Sequence, residues 1–283
     1  MPGAPDPEYV AARRVLLDAL EALDDHRAAL ILVGAQAIYM HTGEGDLAVA
    51  PYTTDGDIAL DPAELRPAPK LEDAMRHAGF RLDEQQPGVW FGADSLEIDL
   101  LVPQSVSGGG TRGARLGEHG NRAARKARGL EAALVDSSPM VIPALEKGDD
   151  RHFEIAVAGR AALLVAKLHK LADRRDTPDR AEDKDALDVL RLLRASQTEE
   201  IVGRLRALHE DGRSAEVTAE AIEHLRMLFG TMDAAGSQMA ARAAVPLEDP
   251  ATIAASAATL ASDVLSGVDA ETTGQGLAPS PDV

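Results

Sequence analysis

Cysteine is absent from the 283 residues, so disulfides and thiolate metal sites are excluded. Aromatic residues make up only 3%. A core must therefore be assembled from Leu, Ala, Val and Ile, which a hydrophobic content of 45% supplies. The start, MPGAPDPEYV, lacks the basic and apolar stretches of a signal peptide. No apolar run reaches the roughly 18 residues of a membrane helix. A chain without thiols, signal or span reads as cytoplasmic, with no membrane partner. Positive charge is scarce as well: the formal net charge is -18, and no Lys or Arg follows Arg242. Such a field repels phosphate on average. It argues against general coating of nucleic acid but leaves room for a local basic site.

What is present divides near Gly159. Residues 1–7 are Pro-rich and expected to be disordered. Residues 8–159 alternate strand and helix signals. The spacing predicts a helix from Glu8 to Asp25, a strand over Ala29–Val33 and a helix over Ala35–His41. A second strand follows from Ile58, then a short helix from Leu71 stopped by Gly79. Short apolar runs at Phe80–Leu82, Val89–Phe91, Leu96–Val102, Met140–Leu145 and Phe153–Ala158 read as strands. QSVSGGGTRG at 104–113 reads as a flexible loop. Residues 160–244 carry helical spacing throughout. Residues 245–283 are rich in Ala, Ser, Thr and Pro and read as a flexible acidic tail, with a weak helix at 251–265. The fold class is α+β: a mixed sheet flanked by helices, followed by a C-terminal helical bundle.

The chemistry centres on residues 29–61. An apolar strand ends at Gly34, a helix follows, and Asp55-Gly56-Asp57 opens the next strand. Carboxylates two apart on a strand project to one side and can share a Mg²⁺, an ion that takes carboxylates together with substrate phosphates. In Leu96-Glu97-Ile98-Asp99-Leu100 the acids again share one face. Asp99 is the candidate third ligand, with Glu97 as the fallback. Gly34 permits close backbone approach, and the N–H groups opening the next helix can receive phosphate. A lone D-x-D also occurs in turns and at solvated strand ends. The order of all these parts is what points to chemistry.

The order Gly34-Ala35, Asp55-Gly56-Asp57-Ile58, Ile98-Asp99-Leu100 resembles the nucleotidyltransferase superfamily with the polymerase-beta-like fold. The nearest resemblance is to AbiEii-type nucleotidyltransferase toxins, including the MenT-like group. It covers roughly residues 10–230. It implies Asp55, Asp57 and Asp99 as catalytic and metal-holding residues for Mg²⁺ or Mn²⁺, with an NTP as substrate. Thr53 matches a Thr common two residues before the first Asp. Gly34, Ala35, Thr54 and Lys170 make up the expected nucleotide-binding set. The resemblance also implies a tRNA 3′ end as one possible acceptor, beside a protein or small-molecule hydroxyl, and a cognate antitoxin as a partner. The chain departs from the pattern at Ala35, where Gly or Ser is usual, and at Pro51, where an Arg is common.

In the helical half Lys167 interrupts the apolar run Leu163–Leu171. Lys167, Lys170 and Arg174 share a helical face, and such a face turned to the acids could neutralise a triphosphate. Asp185 and Asp188 lie three apart on another helix. They read as orienting Lys167, as a base, or as acids favoured by a helix start. The resemblance carries Lys167 and Asp185 as catalytic residues. The basic run Arg112, Arg115, Arg122, Arg125, Lys126 and Arg128 reads either as a phosphate or RNA contact or as a solvated neutraliser of nearby acids. His41 and His119 have no partner spacing that marks them as catalytic.

Overall fold

The computed structural model describes residues 5–43, 47–174 and 183–274, with side chains to 270. The outermost parts of the expected disordered termini, 1–4 and 275–283, lie outside the described residues. The first helix, α1 (Pro7–Ala22), begins inside the stretch expected to be disordered. Pro7 sits at its start, and Asp6 caps it by accepting from the Glu8 N–H at 2.8 Å. Next come β1 (Leu30–Val33), α2 (Gly34–Thr42), β2 (Asp55–Leu60) and α3 (Leu71–His77). Then follow β3 (Arg81–Leu82), β4 (Val89–Phe91), β5 (Glu97–Pro103), β6 (Arg125–Ala127), β7 (Ser137–Pro143) and β8 (His152–Ala158).

These strands make one mixed sheet in the order β3-β4-β5-β2-β1-β8-β7, with β6 pairing β5 beside that path. β1 runs antiparallel to β2, whereas β2 and β5 are parallel, with Asp55 opposite Glu97 and Asp57 opposite Asp99. Strand alternation then separates two faces. Ile58, Ile98 and Leu100 are fully buried, and a Cβ added at Gly56 would meet the Ile98 and Leu16 side chains. That face packs on α1. The other face carries the acids.

The helical half contains α4 (Arg160–Arg174), α5 (Asp183–Arg194), α6 (Thr198–Glu210), α7 (Ala215–Phe229), α8 (Ala235–Ala244) and α9 (Pro250–Gly274). Gly159 is the single residue between β8 and α4. The expected α+β class, a mixed sheet flanked by helices with helices after it, is the architecture observed.

The segment expected as a flexible tail differs. Over Pro250–Gly274 it is a helix of 25 residues. Ala is the strongest helix former. Asp249 accepts from the Thr252 backbone N–H at 2.9 Å and from its hydroxyl at 2.7 Å, so the helix is capped. Ile253, Ala257, Ala261, Val264 and Leu265 are buried, and their spacing makes one stripe against α6, α7 and α8. Pro250–Ala270 is long and apolar enough to cross a membrane by length and composition, although no such run was expected from the sequence. Its stripe is spent on the neighbouring helices.

Ile253 is fully buried, so Ile253→Ala should lower unfolding free energy by about 2–5 kcal/mol, read by urea titration. A tail with no fixed contacts would show no change.

Candidate functional site

A cleft of about 630 Å³ opens on the acidic face of the sheet, and α4 forms its opposite wall. That volume suits a small-molecule ligand. Asp55, Asp57, Glu97 and Asp99 lie on one side, and Lys167, Lys170 and Arg174 on the other. Five residues expected to act together, Gly34, Asp55, Asp57, Asp99 and Lys167, therefore line one cavity.

Gly34 has φ +67, a left-handed conformation that costs other residues roughly 1–2 kcal/mol. A Cβ there would sit 1.9 Å from Asp57 Oδ2. The glycine thus does two things: it turns the chain from β1 into α2, and it leaves the space that the Asp57 carboxylate fills. The first turn of α2 has no side-chain cap, so its N–H groups remain available to an anion.

Burial first, and crowding of like charge second, shape the electrostatics. Burial, then Asp55 and Asp99, push the Asp57 carboxyl up to about 7, against a smaller pull from Lys170 and Lys167. Burial, Asp99 and Asp55 likewise raise Glu97, with Arg125 pulling the other way. A cation bound among these groups would relieve the repulsion.

Asp99 is already engaged. Arg125 on β6 donates from Nε to Asp99 Oδ1 at 3.2 Å, and from Nη2 to Oδ2. Burial lowers the Arg125 pKa, but the Asp99 carboxylate outweighs that effect and raises it overall. Among the described residues, no group of three or more His, Asp or Glu side chains forms a metal cage. Of the expected three acids, the third is the one held by a guanidinium. Asp55 and Asp57 still fit a hard cation, since Mg²⁺ takes one or two carboxylates plus substrate oxygens.

Lys167 faces the cleft from an almost buried position. Its Nζ donates to Asp185 Oδ1 at 2.6 Å and Asp188 Oδ2 at 2.8 Å. Burial alone would lower its pKa, but the two carboxylates raise it well above the ordinary lysine value. Asp185 also meets Lys170 at 3.1 Å and Arg174 at 3.3 Å. Burial would raise its pKa, yet Lys167 and Lys170 hold it below the usual carboxylate range. Lys167, Lys170 and Arg174 thus gather on this wall around Asp185, with Asp188 on Lys167 and Asp173 beside them in the lining. Of the sequence readings for Asp185 and Asp188, the geometry matches orientation of Lys167.

Two members of the expected nucleotide-binding set lie elsewhere. Ala35 is buried within α2, and Thr54 is exposed; neither lines the cleft. Thr53 is the threonine that reaches the acids. It is fully buried, and its hydroxyl donates to Asp55 Oδ1. Alternation explains the difference, since residues 53, 55 and 57 share a side. Lys184 Nζ in turn donates to Thr53 Oγ1 at 3.2 Å.

Sequence reasoning missed two residues around the acids. Gln36 Nε2 donates to the Asp55 carbonyl at 2.9 Å, and Arg13 Nε donates to Gln36 Oε1 at 2.7 Å. Both side chains are buried. Their signal was a polar residue on an otherwise apolar helical face. Arg125 was named within the basic run, but its pairing with Asp99 depends on strand register.

The basic run does not form one stripe. Arg122 donates to the Asp83 and Glu84 carbonyls, Lys126 to those of Gly108 and Gly110, and Arg128 to Glu216 and Glu220. Arg112 and Arg115 are exposed. His41 bonds to the Ala158 carbonyl at 2.8 Å. His119 accepts from the Leu71 N–H at 3.1 Å and donates to the Arg66 carbonyl at 2.7 Å. Both histidines are structural.

No family model and no curated protein matches the chain. Among solved structures, the antibiotic-resistance factor ANT(2'')-Ia, determined in solution, is similar over 76% of this chain and 97% of its own, at 14% identity and a TM-score of 0.42. A likeness at that score carries no argument for the site, which stands on its own geometry.

Two outcomes follow from this geometry. Gly34→Ala should destabilise the fold more than Gly43→Ala, because Gly43, at φ +57, has nothing within 4 Å of an added Cβ. Thermal unfolding of the pair separates the cost of the clash from that of backbone conformation. The second outcome concerns pH. In the folded chain the Asp57 carboxyl is pushed up to about 7 from its ordinary value of 3.8. The folded state therefore holds a proton that the unfolded state has lost, and stability falls as pH rises through that window. In chelator, Asp57→Asn should be more stable than wild type at pH 8, with the gap closing towards pH 4. A gap independent of pH would overturn the assignment.

Proposed function

We propose that the chain is a nucleotidyltransferase, moving a nucleoside monophosphate from an NTP to an acceptor hydroxyl. The observation that carries this reading is the facing of Asp55 and Asp57 across one cleft by Lys167, Lys170 and Arg174. The acceptor oxygen forms a bond to the α-phosphorus. The bond from that phosphorus to the bridging oxygen breaks, and pyrophosphate leaves.

Asp55 and Asp57 would hold a divalent cation, Mg²⁺ or Mn²⁺, which supplies charge neutralisation at the phosphates and a lowered pKa for the attacking hydroxyl. Thr53 and Gln36 fix Asp55 through its carboxylate and its carbonyl. Gly34 and the open N-terminus of α2 accept phosphate oxygens. Lys170 and Arg174, at the exposed end of the cationic wall, balance the charge of the departing pyrophosphate. Lys167, held by Asp185 and Asp188, sets the position of that wall. Asp99 receives the acceptor proton.

The acceptor implied by the toxin resemblance is a tRNA 3′ end, with an antitoxin as regulator. Arg125, Lys126 and Arg128 of the basic run line the cleft, which suits any phosphate-bearing ligand, so protein and small-molecule hydroxyls stand beside that acceptor. One observation favours a second reading, a nucleotide-binding module without transfer: both Asp99 oxygens are taken by Arg125.

Incubation with α-labelled NTPs, Mg²⁺ and separate pools of RNA, protein and polyhydroxylated small molecules tests this. Label should enter one pool with wild type and fall at least about a hundredfold with Asp57→Asn, the scale of losing an electrostatic contact made in the transition state. Nucleotide binding with no label in any pool selects the second reading. Equal labelling by Asp57→Asn removes the site assignment.

A further inference from the structure

Arg125 is the one residue of the cleft whose charge is spent on a group the proposed reaction needs. Its backbone is held from both sides. β6 runs parallel to β5 with Leu101 opposite Arg125, and Gly113 bridges Arg125 from the other edge. A Cβ added at Gly88 would lie 2.5 Å from the Arg125 nitrogen, so the β4 end is pressed against it. Trp90, the sole tryptophan, donates its Nε1–H to the Ala123 carbonyl at 2.9 Å and ties down the segment leading to β6. The strand is therefore fixed, and the long side chain is the part able to move.

That side chain lies diagonally across from Asp99, within ordinary cross-strand reach. Its fork covers both Asp99 oxygens. It brings one positive charge to a face bearing Asp55, Asp57, Glu97 and Asp99. A guanidinium also matches phosphate geometry bidentately, as it matches carboxylate. Once off Asp99 it would remain in the cleft, opposite Lys170 and Arg174, where a triphosphate fits between cations on two walls.

We propose that Arg125 is a ligand of the nucleotide phosphates that rests on Asp99 while the cleft holds no cation, and that divalent-cation binding releases it. Cation and guanidinium neutralise the same acidic face, so a cation held by Asp55 and Asp57 weakens the grip of that face on Arg125, frees one more phosphate ligand and couples nucleotide binding to metal binding. This rests on the nucleotidyl-transfer reading of the cleft.

The test uses binding rather than turnover. Free Mn²⁺ is followed by electron paramagnetic resonance in nucleotide-free protein, and each of the four NTPs is followed by equilibrium dialysis in Mg²⁺. Arg125→Gln should bind Mn²⁺ roughly tenfold more tightly than wild type and Mg²⁺–NTP roughly tenfold more weakly, the scale of one charge-assisted fork. Arg125→Lys keeps the charge without the fork and should shift both constants in the same directions by less; it carries the test if Arg125→Gln does not fold. Unchanged affinity for either ligand in a folded variant overturns the proposal. Failure of the underlying reading looks different: wild type binds no NTP, or Asp57→Asn binds Mn²⁺ as wild type does.

Discussion

The parallel register of β2 and β5 governs most of the structure. It sets Asp57 opposite Asp99 and Asp55 opposite Glu97, and strand alternation turns all four carboxylates to one side. A slip of one residue would send Gly56 and Ile98 into the cleft and the acids into the core against α1. The arrangement is unfavourable electrostatically in isolation, as the raised Asp57 and Glu97 carboxyls show. The surroundings therefore look like compensation. Arg125 neutralises one acid, Thr53 donates to another, and the cationic wall of α4 lowers the potential across the gap.

That wall has its own order. Lys167 is pinned by two buried carboxylates, and removing one member of such a cluster leaves an uncompensated buried charge. The cluster joins α4 to α5, while Lys184 on α5 reaches Thr53 beside the first acid. Packing of the helical half and geometry of the acidic half are thus mechanically linked. Each pins a side chain that the other needs.

Much of this was legible before the structure. Gly34 at the end of an apolar strand, paired acids at Asp55 and Asp57, an acid between Ile98 and Leu100, and Lys167 within Leu163–Leu171 are local signals with local causes. What escaped was tertiary. The Arg125–Asp99 pair exists because β6 adds to β5, and no spacing in the chain states that. Thr53 and Thr54 differ only in strand phase, which the two acids after them do reveal. The last helix was expected only as a weak one at 251–265 within a flexible tail, because a run of Ala, Ser and Thr resembles a linker by composition, although Asp249 and Pro250 already spelled a firm helix start.

The loop before the first acid shows how widely the site draws on the chain. The Ala48 N–H donates to Glu248 at 2.8 Å, and Arg191 donates to the Val49 carbonyl. Residues about 140 and 200 positions downstream thus hold the approach to Asp55. Synthesis delivers the acids well before the cationic wall and these tethers. A chain that has reached β8 holds the acids and Arg125 but neither Lys167 nor the two tethers. The approach to Asp55 is therefore complete only once Arg191 and Glu248 have been made, which ties the shape of the cleft mouth to steps of synthesis long after the acids.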